Sequence, residues 1–387
     1  SGPSALTSIG INPNRVLDFG TIEGGETNKY SLNLWITDEV DGNYSGQVFS
    51  GKLRVEVSQE KTAAEYLIAH ANDEDLNYYE ASSDEQKEMW EFSHDATEQT
   101  TALTDYRYIG NNPSNYVTFN NETWRIIGVF SVDDGTGNVE ERLKLIRDES
   151  IGYYSWDNKT TTSGAETDYG KNNWPDARLN YLLNPFHEDE EISNSLYWNR
   201  KSGKCYTQGD NYVGSCDFTN TGLTPEAREM IGDSLWYLGA IRTNNSASVT
   251  PIDAYTDERG NQAYDNTRQT LWIGKVGLVY ASDYGYATSG GSTESRESCL
   301  YKDLFYWKND ECSQNNWLYK ADGNWWTITP YSHTSNDVIG IYSNGTALNY
   351  LVYSGGCDVY PTVYLKSSVK IISGKGTSDN PYILRNV

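Results

Sequence analysis

The chain of 387 residues is long enough to bury at least one large hydrophobic core, and its 54 acidic and 30 basic residues give a formal net charge of −24. Nucleic acids and anionic membrane surfaces bind to basic protein faces, so this charge argues against both as partners. The sequence also lacks an apolar run of about 18 residues, which argues against a chain embedded in a membrane.

Residues 1–58 predict a small N-terminal β segment. Three stretches, "RVLDFGTI", "KYSLNLWI" and "GKLRVEVS", alternate apolar and polar positions and are separated by glycine-containing turns. Residues 59–104 begin with a helical period in "TAAEYLIAH" and continue as an acidic, polar stretch. We interpret them as an acidic helical or linker region, and we assign residues 105–387 to one large domain.

The first half of this domain contains a predicted hairpin and two predicted helices. In "NYVTFNNETWRIIGVF" two β-rich runs meet at Asn120 and Asn121, residues that tolerate the positive φ of a tight turn. "ERLKLIRD" follows as a further strand. "NWPDARLNYLLNP" predicts a short helix, and "LTPEAREMIGDSLWYLG" predicts a longer one that begins at its cap, Thr224, and ends at Gly239.

The second half is rich in tryptophan, strands and loops. "TLWIGKVGLVY", "NWWTITP" and "VYPTVYLKSSVKIIS" are all predicted to be strands, and the strand run at the chain's end is placed to pair with the beginning of the domain. The predicted fold class is therefore α+β, with two helices, a strand- and loop-rich second half and a small β segment in front.

The five cysteines indicate the compartment. Cys205 and Cys216 are close in sequence, as are Cys299 and Cys312, and neither pair has the spacing of a zinc site. We predict two local disulfides and hence an oxidising, extracellular setting, with no metal and no cofactor. Cys357 is left without a partner.

Catalytic motifs are sparse. His187 begins "HEDEE", which lacks the second histidine of a zinc-binding helix. Cys357 and His333 are a conceivable nucleophile and base, but two unrelated side chains are the simpler interpretation. Carboxylates are so numerous that nothing selects a glycosidase pair. The sequence therefore predicts no catalytic residue, and we interpret the chain as a protein that is not an enzyme.

Residues 331–360 lie between two predicted scaffold strands and have no steady hydrophobic period. Ser, Asn and Gly recur along them, which predicts a long loop of the kind that is usually functional. Exposed tyrosines beside rigid strands are typical of a binding surface, whereas tyrosines folded back into the core are the alternative. The predicted ligand-binding residues are Tyr331, His333, Asp337, Ile341, Tyr342, Asn344, Leu348, Tyr350, Tyr353, Cys357, Asp358 and Tyr360.

Residues 105–387 resemble a group of large surface proteins of gut Firmicutes. The motifs that carry the resemblance are "DYRYIGNNPSNYVTFNNETWRIIGVF", "IGKVGLVYASDYGYATSGG", "WTITP" and "VYPTVYLKSSVKIISGKGTSDNPYIL". The resemblance implies a C-type-lectin-like domain of the formylglycine-generating-enzyme kind. This fold hosts the variable proteins of diversity-generating retroelements, in which a reverse transcriptase randomises chosen codons.

In that family the variable segment corresponds to residues 331–360 here. Such segments typically close on Val-Arg-Pro, and this chain has Val359, Tyr360 and Pro361, so a tyrosine replaces the arginine. The resemblance does not imply the oxidase chemistry of the formylglycine enzymes, because four of the cysteines are interpreted as two disulfides that close short loops. The sugar-binding Glu-Pro-Asn and Gln-Pro-Asp motifs of calcium-dependent lectins are also absent from the sequence.

The function expected from these observations is binding of an unknown protein or glycan ligand by a sequence-variable face at the cell surface. The resemblance implies an extracellular protein anchored through a segment upstream of residue 1. Two alternatives remain open at this point: a hydrolase that acts on glycans through acidic residues, and a structural subunit of a surface fibre.

Overall fold

The computed structural model describes residues 61–72, 88–158, 170–207, 212–354 and 357–386. The chain divides into two compact units, Ser1–Ser58 and Gln59–Val387. The predicted N-terminal β segment, residues 1–58, lies outside the described residues. Within the described ranges the second unit is a mixed α+β structure with many short strands.

Seven α-helices and two 3₁₀ turns occur in the described part of the chain. The helices are α1 (Ala63–Asn72), α2 (Arg178–Leu183), α3 (Pro225–Met230), α4 (Pro251–Glu258), α5 (Ala281–Tyr286), α6 (Arg296–Leu300) and α7 (Glu311–Gln314). The 3₁₀ turns are Trp174–Asp176 and Leu304–Tyr306. None of the described helices has the length and apolar character needed to cross a membrane.

The larger sheet is built on the predicted hairpin. Its strands are β1 (Met89–His94), β2 (Leu103–Tyr108), β3 (Tyr116–Phe119), β4 (Glu122–Asp133), β5 (Val139–Arg147), β10 (Val276–Gly277), β15 (Thr362–Tyr364), β16 (Lys370–Ser373) and β17 (Tyr382–Arg385). The order is β10-β15-β5-β4-β3-β17-β16, and β2 connects β1 to β4. Asn120 and Asn121 form the turn with φ of 57° and 61°, so the hairpin prediction is confirmed.

The end of the chain pairs with the beginning of the domain, as predicted. Strand β17 runs parallel to β3, with Tyr382 opposite Val117. Helix α1 packs against β4 and β5 and contributes Ala63, Ala64 and Leu67 to the core. This closure ties the first and last described segments of the unit to one sheet.

A second sheet has the order β13-β12-β11-β14. Its strands are β11 (Asn324–Pro330), β12 (Asp337–Ile341), β13 (Ala347–Leu351) and β14 (Cys357–Asp358). The prediction that residues 331–360 form a long loop is wrong, because β12 and β13 make an antiparallel hairpin inside this range. Two further hairpins are β6 (Ser202–Tyr206) with β7 (Val213–Asp217), and β8 (Ser234–Tyr237) with β9 (Leu271–Gly274).

Three other secondary-structure predictions need correction. The helix predicted to end at Gly239 ends at Met230, because residues 234–237 pair with residues 271–274 and bury every second side chain as strand β8. The acidic helical or linker interpretation of residues 59–104 is wrong for β1, which is a strand. Helices α4 to α7 lie in the half predicted to contain only strands and loops; four to eight residues are too short for a helical period to show.

Both predicted disulfides are present, and Cys357 is free and buried. The Cys205–Cys216 bond joins neighbouring strands β6 and β7. The Cys299–Cys312 bond joins α6 to α7 and closes the loop between them.

A buried ion network links the larger sheet to α5. Asp283 accepts from Arg107 Nη1 at 2.8 Å and from Lys144 Nζ at 2.5 Å, and the three side chains are 0–1% exposed. Arg107 also donates to Asp105 at 2.7 Å. Burial alone would raise the pKa of Asp283, but the charges of Lys144 and Arg107 outweigh burial and hold this pKa below its usual value. The network therefore depends on an ionised Asp283.

Candidate functional site

The twelve predicted ligand-binding residues divide into two groups of six. His333 is exposed and Tyr342, Asn344, Leu348, Tyr350 and Tyr353 are half-buried. The other six were also expected on the exposed face, and the structure buries them: Tyr331, Asp337, Ile341, Cys357, Asp358 and Tyr360. The division reflects where the residues lie, since all five residues of β12 are buried, whereas four of the five residues of β13 are half-buried or exposed.

The buried residues hold the hairpin in place. Ile341 lies in the core, and Asp337 accepts from Asn349 Nδ2 at 2.7 Å. Tyr360, which replaces the arginine of the family pattern, packs edge-on against Trp325 with ring centroids 5.8 Å apart. Lys320 Nζ lies over the Tyr360 ring, 5.6 Å from its centroid. These residues belong to the framework and not to an exposed surface.

Three half-buried side chains form the open surface that we call the hairpin face: Tyr342, Leu348 and Tyr350. Leu348 and Tyr350 share one side of β13, and Tyr342 continues the same side of β12 beyond its end. The rings of Tyr342 and Tyr350 are 5.3 Å apart. Tyr350 also packs edge-on at 5.3 Å against Trp326, which is 1% exposed and forms the floor. The tyrosines are thus supported from below and partly open above.

Gly340 creates space in the middle of this surface. It lies between Trp326 of β11 and Leu348 of β13 in the cross-strand register. A Cβ atom at Gly340 would lie 3.3 Å from Cβ of Tyr350, so a larger residue would press on that tyrosine. The glycine therefore lets Tyr350 lie close to the sheet.

The turn of the hairpin is fixed by Asn344. Its side-chain oxygen accepts from the backbone N–H of Thr346 at 3.0 Å and from its hydroxyl at 2.8 Å. Gly345 follows with φ of 90°, a conformation that favours glycine. The Asn344 carbonyl also accepts from the backbone N–H of Asn309 at 2.8 Å. The tip of the hairpin is therefore attached to the neighbouring 307–310 segment.

The segment that enters the hairpin is anchored by one buried amide. Asn172 Nδ2 lies 2.9 Å from each of three backbone carbonyls, those of Tyr331, Thr334 and Asp337. Its side-chain oxygen accepts from Arg268 Nε at 3.2 Å. Residues 331–337 are therefore held to the domain body by hydrogen bonds that do not involve the hairpin face.

Cys357 and His333, considered above as a nucleophile and its base, have different contacts in the structure. Cys357 is buried beside the Tyr350 hydroxyl, and burial, with a smaller contribution from Asp358, raises the pKa of its thiol well above the usual value. A thiol in this environment stays protonated near neutral pH. His333 is exposed, and its Nε2 lies 2.9 Å from the carbonyl oxygen of Arg242.

Metal ligands are equally sparse in the described ranges. The one group of His, Cys, Asp and Glu side chains close enough to share an ion is Glu294 with Cys299 and Cys312. Both sulfur atoms are bonded to each other in the disulfide, so they are not available as ligands.

One surface was missed by the sequence predictions. Tyr301, Phe305 and Tyr306 are exposed on the loop closed by the Cys299–Cys312 bond. The signal was present, since "YKDLFY" places three aromatic residues in a segment already predicted to be closed by a disulfide.

Comparison of the chain with protein-family models, with curated proteins and with solved structures found no match.

Proposed function

We propose that the protein is an extracellular, cell-surface binding protein whose ligand contacts the hairpin face. The observation that supports this proposal is the pair Tyr342 and Tyr350, whose rings contact each other and are half-buried beside the buried Trp326. Tyrosine supplies a large, stiff contact area with a polar end, which suits recognition surfaces. A backbone held by the framework loses little conformational entropy when a ligand binds.

The proposal includes a C-type-lectin-like fold and a variable segment at 331–360. Within such a segment, replacement should cost least stability at the six exposed or half-buried residues: His333, Tyr342, Asn344, Leu348, Tyr350 and Tyr353. The six buried residues of the same segment support the framework, so random replacement there would cost stability. The position of Tyr360 belongs to this second group.

Paralogous copies in the source genome test the variable segment. We expect their differences to be concentrated at the six exposed or half-buried residues, and a reverse transcriptase gene beside a near-copy of the coding segment. Differences spread evenly along 105–387, or concentrated at Ile341, Cys357 and Tyr360, would contradict the proposal.

Binding can be tested directly on arrays of glycans and of cell-surface proteins. The wild-type protein should bind at least one member, and the Tyr342→Ala/Tyr350→Ala double variant should lose that signal. Tyr212→Ala is the matched control, because Tyr212 is 55% exposed and lies outside the segment. Equal loss in the control, or a signal that survives the double variant, would place the ligand elsewhere.

A further inference from the structure

The loop between Cys299 and Cys312 carries a second surface, separate from residues 331–360. Tyr301, Phe305 and Tyr306 are 70%, 37% and 60% exposed, and we call these three residues the loop patch. Single exposed aromatic residues are common on soluble proteins, whereas several in contiguous sequence are typical of an interaction site.

The loop patch is rigid. Leu304 and Trp307, which alternate with the exposed residues, are 1% and 0% exposed and anchor the segment in the core. The Leu304 N–H donates to the carbonyl of Val249 at 2.8 Å. The rings of Phe305 and Tyr306 meet edge-on at 5.3 Å, and the disulfide closes the loop. Side chains held in this way lose little freedom when a partner binds.

The loop between Cys299 and Cys312 contains three carboxylates, Asp303, Asp310 and Glu311, against two lysines, Lys302 and the exposed Lys308, and Glu294 and Asp253 add further negative charge beside it. Lys302 lies in the same loop as the patch residues. It pairs with Glu294 at 2.7 Å and with Asp310 at 2.6 Å, so its charge is neutralised by these two carboxylates. The hydrogen bond from Leu304 to Val249 and the capping box of Thr250 with Asp253 place Asp303 beside the start of α4, and burial, then the charge of Asp253, raises the pKa of Asp303. Unlike Glu294 and Asp310, neither Asp253 nor Asp303 has an ion-pair partner among the described residues. A cation from outside would relieve their mutual repulsion.

We propose that the loop patch, with Asp253 and Asp303, binds a basic polypeptide segment of a partner protein. Arg or Lys side chains of the partner lie against the exposed ring faces, where the quadrupole of the ring attracts a cation. The same side chains pair with the two carboxylates. The net charge of −24 steers such a segment toward the protein and repels acidic partners.

A fluorescein-labelled arginine-rich peptide tests this proposal by anisotropy in about 0.15 M salt, with a glutamate-for-arginine peptide as the control probe. We expect Tyr301→Ser/Tyr306→Ser to weaken binding about tenfold, and Asp303→Asn to weaken it by about threefold, in line with the loss of one or two contacts. All substituted groups are at the surface, and unchanged thermal unfolding would show that the fold is intact.

Two matched controls separate the loop patch from the overall charge. Tyr212→Ser removes an exposed tyrosine elsewhere, and Asp189→Asn removes an exposed carboxylate elsewhere. Both should leave the affinity for the arginine-rich peptide within about twofold. An equal loss in Asp189→Asn, no loss in the tyrosine double variant, or no binding of the arginine-rich peptide would overturn the proposal. So would patch-dependent binding of a neutral oligosaccharide such as cellopentaose in place of the peptide.

Discussion

The ion network around Asp283 is closed to solvent, whereas the hairpin face is partly open to it. Asp283 is buried, and every oxygen of its carboxylate is used by Lys144 or Arg107. Tyr342 and Tyr350 contact each other, Tyr350 also packs against Trp326, and both tyrosines are partly exposed. The comparison teaches that this chain concentrates its specific, irreplaceable contacts away from the surface that we propose for binding.

The largest expected effect comes from breaking the network. Asp283→Ala should lower the free energy of unfolding by about 3–5 kcal/mol, because it leaves Lys144 buried without its counter-charge and removes one of the two carboxylates that pair with the buried Arg107. Urea denaturation followed by tryptophan fluorescence measures this loss. Asp189→Asn, at an exposed carboxylate, is the control. A loss below about 1 kcal/mol would mean that the network does not support the framework.

Removal of the Cys299–Cys312 bond should have the next largest effect. The two cysteines are 13 residues apart in sequence, and a bond that closes a loop of this size stabilises the folded state by about 3 kcal/mol. The Cys299→Ser/Cys312→Ser double variant should show this loss in urea denaturation, and it should also weaken binding at the loop patch. Because the double variant lacks the Cys299–Cys312 bond, a reductant should not lower its stability further through that bond. A double variant as stable as the wild type would show that the buried Leu304 and Trp307 hold the loop on their own.

The pH dependence of stability tests the environment of Asp157, whose backbone N–H donates to the carbonyl of Val352 just after the end of β13. Burial raises the pKa of Asp157 to about 6, although this carboxylate accepts backbone N–H bonds from Lys171 and Arg178. The folded state therefore binds this proton at a higher pH than the unfolded chain, whose value is 3.8. Stability should rise by about 2 kcal/mol as the pH falls from 7 to 4.

The Asp157→Asn variant isolates this contribution, because other buried carboxylates titrate in the same range. Its unfolding free energy should change less between pH 7 and pH 4 than that of the wild type. Asp283, whose pKa is held low, acts in the opposite direction only when the pH falls below the unfolded value of 3.8. Identical pH profiles for the variant and the wild type would contradict the buried, protonatable Asp157.

The smallest expected effects are on the hairpin face. Leu348→Ser and Tyr342→Ser should each cost less than about 1 kcal/mol of stability, because both side chains are only half-buried. Ile341→Ser, one residue from Tyr342 and completely buried, is the matched control and should cost several times more. Thermal unfolding of the three variants measures the difference. Comparable losses at positions 341 and 342 would remove the distinction between face and framework.

Local signals in the sequence predicted a large part of the fold. The Asn120-Asn121 turn and both disulfides depend on neighbouring residues, and a strand pattern at each end of the domain predicted that the two ends pair, although it predicted neither the parallel direction nor the strand that makes the pair. Strand β8 was missed because Thr224 and Pro225 mark a strong helix start and the apolar residues after Met230 also fit a helical period. Only pairing with β9 decides that conflict, and pairing is a tertiary contact.

The hairpin within 331–360 was missed for a different reason. Asn344 and Gly345 are the residues that most strongly favour a hairpin turn, and "DVIGI" and "ALNYL" flank them. The surrounding serines and glycines suggested a loop instead. The sequence did single out the tyrosines of the hairpin face, but it had no means to separate Tyr342 and Tyr350 from the buried Tyr331 and Tyr360, because that depends on strand register.

The most direct test of the account compares two libraries displayed on cells and selected for resistance to protease. One library randomises His333, Tyr342, Asn344, Leu348, Tyr350 and Tyr353, and the other randomises Tyr331, Asp337, Ile341, Cys357, Asp358 and Tyr360. We predict that most members of the first library remain folded and that few members of the second do, because the second removes buried contacts at six positions, whereas the first removes surface contacts and the two hydrogen bonds of the Asn344 side chain at the turn. Equal survival of the two libraries would contradict a substitutable binding face on a fixed framework.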